Sequence, residues 1–393
     1  MTSSEIGRRL RQFRHTRGWS LQVVADRAGI SKSHLANLEA GRRTLDSRGL
    51  AAGLAGALEV APTDITGVPR EFLRQPVDDR SLIEVRQALL AISLAEPLGE
   101  IQPADQLRAR VGELLETQNA ADSTTVGTRL PALIRDLHTT LAAHRDERDV
   151  LRLLALTHMQ GTQAWLAAIG APIDLSWQAA TLARQAAEQL DEPIALGIGA
   201  YGTALGLLAA GSFDTAARVL AGAQLAPTTV EDTQLAGSLA LAASLVSAAR
   251  KDQAGRAAAL DYAAELAART GETNLMGFGF GPSNVSVWRV QGALETGEYA
   301  EAAQIAETVN PAALTVRARE AVYWREYGRS LAHLPKQRDV AVWMLRRAEE
   351  ISPDHVHRHP FTRDTLSELL ARAKRDTAGR ELRGMAYRAG LLV

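Results

Sequence analysis

The chain has 393 residues, 46% of them hydrophobic but only 5% aromatic, which is enough material to bury a large core in two or more units. Alanine and leucine dominate and no β-branched alternating run of strand length occurs, so an almost wholly helical protein is expected. The absence of cysteine excludes disulfides, thiolate zinc sites and cysteine nucleophiles, and the first residues lack the apolar core of a signal peptide, so the expected location is the cytoplasm.

Net charge is −1 overall but is unevenly spread. Residues 1–48 carry ten Lys and Arg against four acids, which leaves the remainder acidic. Basic charge gathered at one end of a chain is the electrostatic footprint of a nucleic-acid contact.

In chain order, Ser4 is placed to cap a first helix in which Ile6, Leu10 and Phe13 recur at helical spacing, and Gly18 ends it. Trp19 supplies an apolar anchor. From Ser20 to Arg43, Leu21, Val24, Ala25 and Ala28 share one face of a short helix, which Gly29 stops. Ser31 opens the next helix, which buries Leu35 and Leu38 and leaves Lys32, Ser33, His34, Ala36 and Asn37 facing out. Such a short polar surface suits a major groove, and Arg42 and Arg43 follow in position for phosphates. A fourth helix is expected from Asp46 to Leu58, with Leu50, Leu54 and Leu58 four residues apart, and Pro62 begins a fifth short turn.

Five short helices, the second and third joined by a tight glycine turn, resemble the Cro and phage-repressor class of helix-turn-helix domain, the xenobiotic-response-element (XRE) family. Gly18, Ala25, Gly29, Ser31, Leu35, Glu39 and Gly41 fall where that pattern wants them, and the resemblance covers Glu5 to Gly67. It implies a lambda-repressor-like fold, binding to a double-stranded DNA operator and a strut between Arg14 and Glu39. Carried over by position, it also implies base contacts from Lys32, Ser33 and Asn37, and phosphate contacts from Ser20, Gln22, His34, Arg42 and Arg43. The chain departs from the family at Leu21, where a Gln is usual, with Gln22 one step later.

Residues 66–80 carry two prolines and no clean helical stripe, which sets a linker at 68–80 between a DNA-binding unit (1–67) and a second unit (81–393). Helical pattern resumes at Ser81. The apolar stretch from Ile194 to Ala210 is broken by glycines and too short to span a bilayer, so it is expected to be a buried helix and no membrane partner is expected. Ala-Ala pairs at 179/180, 216/217, 257/258 and 302/303 mark a loose repeat, and Gly211-Ser-Phe213 and Gly297-Glu-Tyr299 each precede one of these pairs by the same distance. This pattern resembles tetratricopeptide (TPR) repeats with a longer, drifting period, hence an all-α protein whose second unit is a degenerate TPR-like α-solenoid.

The combined layout resembles a large group of bacterial regulators that includes peptide-responsive quorum-sensing proteins. The segments Phe280-Gly-Pro-Ser-Asn284-Val-Ser-Val-Trp288-Arg289 and Arg317-Ala-Arg319-Glu320 share in that resemblance. It implies transcription control through a small molecule, peptide or partner held by the repeats. The chain shows no Gly-rich phosphate loop, nucleophile elbow or metal-ligand spacing on a helix, so neither catalysis nor a cofactor is expected. Since one recognition helix buries too little for specificity, a homodimer is expected. Trp165, Tyr201, Met276, Phe280, Asn284, Trp288, Arg289, Tyr323 and Tyr327 are the candidate ligand residues, with Phe278, Trp324 and Arg319 beside them. Large aromatics at helical spacing equally serve as core. His355, His357 and His359 invite a metal reading, but alternate residues do not share a helix face, and a polar connection between Pro353 and Pro360 is expected instead. Two other readings stay open: a protein-interaction adaptor localised by its DNA-binding unit, and an antitoxin-like repressor.

Overall fold

The computed structural model describes residues 4–67, 79–223 and 225–391. The N-terminal unit contains α1 (Glu5–Thr16), α2 (Leu21–Arg27), α3 (Lys32–Glu39), α4 (Arg48–Leu58) and α5 (Pro62–Thr66). A serine starts each of the first four: Ser4, Ser20, Ser31 and Ser47 accept hydrogen bonds from the amides of Gly7, Val23, His34 and Leu50. Gly18 and Gly29 adopt the left-handed conformation that lets each helix stop and the chain turn (φ +65° and +66°). Leu10, Val24, Leu35, Leu38, Leu54, Leu58 and Ile65 form the core. Arg14 clamps Glu39 through two hydrogen bonds of 2.7 Å, the strut that the family resemblance implied. Helix α4 starts two residues later than expected, because Ser47 takes the cap and Asp46 has other partners.

Most of the expected linker lies outside the described residues. Its last two residues, Asp79 and Arg80, already belong to α6 (Asp79–Ser93), so the helical unit begins before Ser81. There follow α7 (Ala104–Asn119), α8 (Ser123–Ala142), α9 (Glu147–Leu156), a π-helical segment (Thr157–Gln163), α10 (Ala164–Ala168) and α11 (Ile173–Leu190). The array continues through α12 (Pro193–Ala209), α13 (Phe213–Gly222), α14 (Val230–Ala249), α15 (Gln253–Thr270), α16 (Pro282–Thr296), α17 (Tyr299–Thr308) and α18 (Arg317–Ala332). It ends with α19 (Arg338–Ile351), α20 (Pro353–His357), α21 (Pro360–Ala371) and α22 (Thr377–Arg388). Among the described residues the only extended pairing is an isolated bridge between Thr273 and Phe280.

From α11 to α19 each helix packs on the next, and α12, α14, α16 and α18 also pack in series on one another. That second set of contacts makes these four the inner layer of a helical array, with α13, α15 and α17 outside. The matched Gly-x-aromatic units sit at the α12–α13 and α16–α17 turns, where Ala216 and Ala302 are fully buried at the helix crossings. The glycines of α12 serve close packing: a Cβ at Gly202 would lie 2.8 Å from Gln163 Oε1. No helix among the described residues is long and apolar enough to cross a membrane.

The N-terminal unit is docked on this array. Phe361 of α21 enters its core, and Asp364 on the same helix accepts the Leu45 amide at 2.7 Å. Glu295 of α16 accepts the Gly49 amide at 2.7 Å and pairs with Arg48, so a distant residue adds a carboxylate at the positive N-terminus of α4.

Candidate nucleic-acid interface and interior polar cluster

The exposed end of α3 presents Lys32 and Ser33, while Asn37 is half-buried one turn further on. Arg42 donates its Nε to Asn37 Oδ1 at 2.9 Å, and the amides of Arg42 and Arg43 both close on the Asn37 carbonyl. For Asn37 to pair with adenine through both amide atoms, Arg42 must leave it, and Arg42 is exposed and able to swing to a phosphate. Arg43 is equally exposed. The other phosphate candidates are more occupied. Ser20 Oγ caps α2, and Gln22 donates to Asp26 on its own helix at 2.7 Å. His34 has its Nε2 buried without a partner, and burial, together with repulsion from Arg43, lowers its pKa.

The connection between α3 and α4 carries a residue that sequence reasoning did not single out. Asp46 is buried; its carboxylate accepts from Tyr299 OH and lies 3.3 Å from His333 Nε2, and its carbonyl accepts Arg329 at 2.9 Å. Arg329 is paired at 2.5 Å with Glu326, which Arg325 also holds. Burial opposes ionisation of Glu326, but the two guanidiniums win and hold it down to about 2. Helix α18 thus grips the backbone that leads from the recognition helix to α4.

The interior candidates divide into groups. Tyr201 of α12 meets Phe278 with ring centroids 5.3 Å apart, and Met276 and Phe280 are buried beside them on the glycine-rich connection between α15 and α16. Phe280 lies against Gly237, where a Cβ would be 2.0 Å from the ring. Asn284 donates to the Gly279 carbonyl and accepts Arg319 Nε at 2.9 Å, and the Arg319 guanidinium stands 5.4 Å over the Trp288 ring. These residues are brought together. The rest are not. Trp165 donates its indole N–H to Ser123 at 2.8 Å in the core against α8, Arg289 points outward toward Asp261, and Tyr323, Tyr327 and Trp324 form a separate aromatic cluster with α17.

Around the converged group lie polar side chains that the sequence reading missed. Gln160 and Gln234 hold the same glycine-rich connection, one donating to the Gly277 carbonyl and the other accepting the Leu275 amide. Thr157 Oγ1, His158 Nδ1, Gln163 Oε1, Thr203 Oγ1, Gln234 Nε2 and Arg319 Nη2 are buried without a hydrogen-bond partner in the chain. The available signal was the polar run Thr157–Gln163, THMQGTQ, between apolar helices, and it forms the π-helical segment, a geometry frequent at functional sites. Burial brings the Arg319 pKa down to about 10 and raises that of Tyr201. His138 and His158 face each other with Nε2 atoms 2.8 Å apart, and burial keeps both neutral, His138 at about 4.

The three histidines near the C-terminus are engaged separately, and on a helix more than on the loop expected. His355 Nδ1 meets Ser352 Oγ at 2.8 Å, His357 pairs with Glu349 at 2.6 Å, and His359 caps α21. Among the described residues no three His, Cys, Asp or Glu side chains converge as metal ligands.

A cleft of about 260 Å³ opens between the two units, walled by Arg42, Arg43 and Thr44 on one side and His333, Pro335 and Arg372 on the other. An apolar groove of about 780 Å³ lies elsewhere, between α13, α14 and α15, lined by Leu220, Leu239, Val246 and Tyr262. None of the candidate ligand residues lines it.

Neither the curated proteins nor the solved structures contain a match to this chain. Residues 5–66 match the family model described as Helix-turn-helix domain, and with the capped α2–α3 pair and the Arg14–Glu39 strut they form an XRE-type helix-turn-helix DNA-binding domain.

Proposed function

We propose that this DNA-binding regulator acts on transcription by reading an operator through Lys32, Ser33 and Asn37, with Arg42 and Arg43 as the principal phosphate contacts and Ser20, Gln22 and His34 in lesser roles. One recognition helix buries too little for specificity at physiological salt, so it acts as a homodimer on two half-sites about one helical turn apart. The array senses a small molecule or peptide with a negative group, held by Arg319, Asn284, Trp288 and Tyr201.

The single observation that carries the sensing role is Arg319. Its guanidinium is enclosed, its Nη2 has no partner, and its side-chain hydrogen bond goes to an amide rather than a carboxylate. A buried cation with no carboxylate in direct contact costs stability, and an anionic ligand removes that cost. Arg319 and Arg329 stand ten residues apart on α18, about 15 Å along its axis. A ligand that favours one position of α18 therefore biases the Asp46 connection and with it the recognition helix, provided it binds the two states unequally.

The test is native mass spectrometry of the protein purified from its own host and from a heterologous one. The expected result is a stoichiometric anionic compound that Arg319→Met loses while keeping its fold. A wild-type chain that carries no compound and shows no change in DNA affinity with host extract contradicts the sensing role but leaves DNA reading intact.

A further inference from the structure

We propose that the DNA footprint does not end at the helix-turn-helix but continues onto the far wall of the interdomain cleft, where the C-terminal end of α21 adds phosphate contacts. The inference rests on the reading that Arg42 and Arg43 meet phosphates.

Three observations carry it. The cleft of about 260 Å³ has Arg42 and Arg43 on one wall and Arg372 on the other, so cations from two units separated by more than 300 residues line one space. Their closeness is also felt electrostatically at its floor: burial drives His333 down to about 4, and against the pull of Asp46 both Arg43 and Arg372 add to the shift. Beyond Arg372 the chain continues with Lys374 and Arg375, and Lys336 follows Pro335 on the same wall; all four cations are exposed. The one acid lining the cleft, Glu368, is taken by Arg372.

A duplex carries one charge per ~1.7 Å of axis and is far wider than this cleft. A backbone gripped by Arg42 and Arg43 therefore passes the opposite wall, where it meets either repulsion or cations, and the side chains there are cations. These contacts carry no base information; they add affinity and fix the approach of the array to the DNA. The docking of the α3–α4 connection on Asp364 and of α4 on Glu295 holds both walls in one frame.

The experiment measures binding of the full chain to a fluorescent duplex of random sequence as a function of KCl. Arg372→Gln/Lys374→Gln/Arg375→Gln is compared with wild type and with Arg42→Gln/Arg43→Gln. All substituted residues are exposed, and unchanged thermal melting verifies folding. Each phosphate that is no longer neutralised lowers the slope of log Kobs against log salt by about 0.9, so the α21 variant should show a fall of about 2 to 3 and the α3–α4 variant a fall of about 2. A wild-type slope in the α21 variant together with a reduced slope in the α3–α4 variant overturns the extended footprint alone. A wild-type slope in both overturns the phosphate reading as well.

Discussion

In the helix-turn-helix the ends of α1 to α4 are each closed by a serine, and its buried pair, Arg14 with Glu39, makes two hydrogen bonds. In the π-helical segment and the inner layer of the array seven polar atoms of the described residues between Thr157 and Arg319 are buried with no partner, and the Arg319 guanidinium stands over Trp288 with its side-chain hydrogen bond going to an amide. The first arrangement leaves only His34 Nε2 and Thr44 Oγ1 of its buried side-chain polar atoms without a partner among the described residues. The second retains the cost of buried polarity, which the proposed anionic ligand would offset. Between them, Arg329 links the Asp46 carbonyl to Glu326, on the same helix that carries Arg319.

The largest effect that sharpens this contrast is expected from Glu326→Ala. It leaves Arg325 and Arg329 buried without their shared counter-ion and should cost about 3–5 kcal/mol in chemical denaturation. A loss of under about 1 kcal/mol would show that the relay is not structural. Next, Asn37→Ala should weaken operator binding by about 1–3 kcal/mol and relax base preference at one position per half-site, with melting unchanged. Gel-shift titration checks this, and wild-type affinity would displace the reading face from α3. Ser31→Ala should destabilise the N-terminal unit by about 1 kcal/mol through loss of the α3 cap, read in guanidinium melts. Arg319→Met, by contrast, should leave thermal stability unchanged or raise it, because the charge removed has no carboxylate in direct contact. A clear fall in melting temperature would make Arg319 an ordinary structural residue.

A further contrast concerns pH. Burial raises the Asp364 carboxyl to about 7, well above its unfolded value, so the folded chain binds the extra proton between about pH 4 and 7. The folded state then loses stability as pH rises through that window, since the folded form holds more protons than the unfolded one. Asp364→Asn should remove that loss, raising the melting temperature at pH 8 by about 5 °C and leaving it unchanged at pH 4. The buried histidines act oppositely: His138, His158, His333 and His355 have lowered folded pKa values, and they cost stability as pH falls below about 6.5. An equal gain for the Asn variant at both pH values would mean that Asp364 titrates as an exposed carboxylate does.

Much of the N-terminal unit was legible because its determinants are local. Serine caps, glycine turns and a leucine stripe each act within a few residues, and only the start of α4 was misplaced, since Asp46 is drawn off by residues more than 250 positions away. The repeat was legible at Gly211 and Gly297, where turn and helix crossing again lie close in sequence. The interior cluster was only half legible. Aromatic scarcity pointed to Tyr201, Phe280 and Trp288, but aromaticity alone does not tell one cluster from another, so Trp165 and Tyr323 were gathered with them. Gln160, Gln234 and Thr203 escaped notice because a buried glutamine or threonine looks like a surface one until helix packing is known. The same holds for the docking of the N-terminal unit: nothing near Asp364 or Glu295 in sequence reveals that they accept its amides.

The most direct test of the central claim is selection of duplexes from a random pool by the full chain, wild type against Asn37→Ala. The account predicts a motif of two half-sites about one helical turn apart, with the variant relaxed at the same position in each. Failure of the wild-type chain to enrich any sequence, or enrichment of an identical motif by the variant, would contradict it.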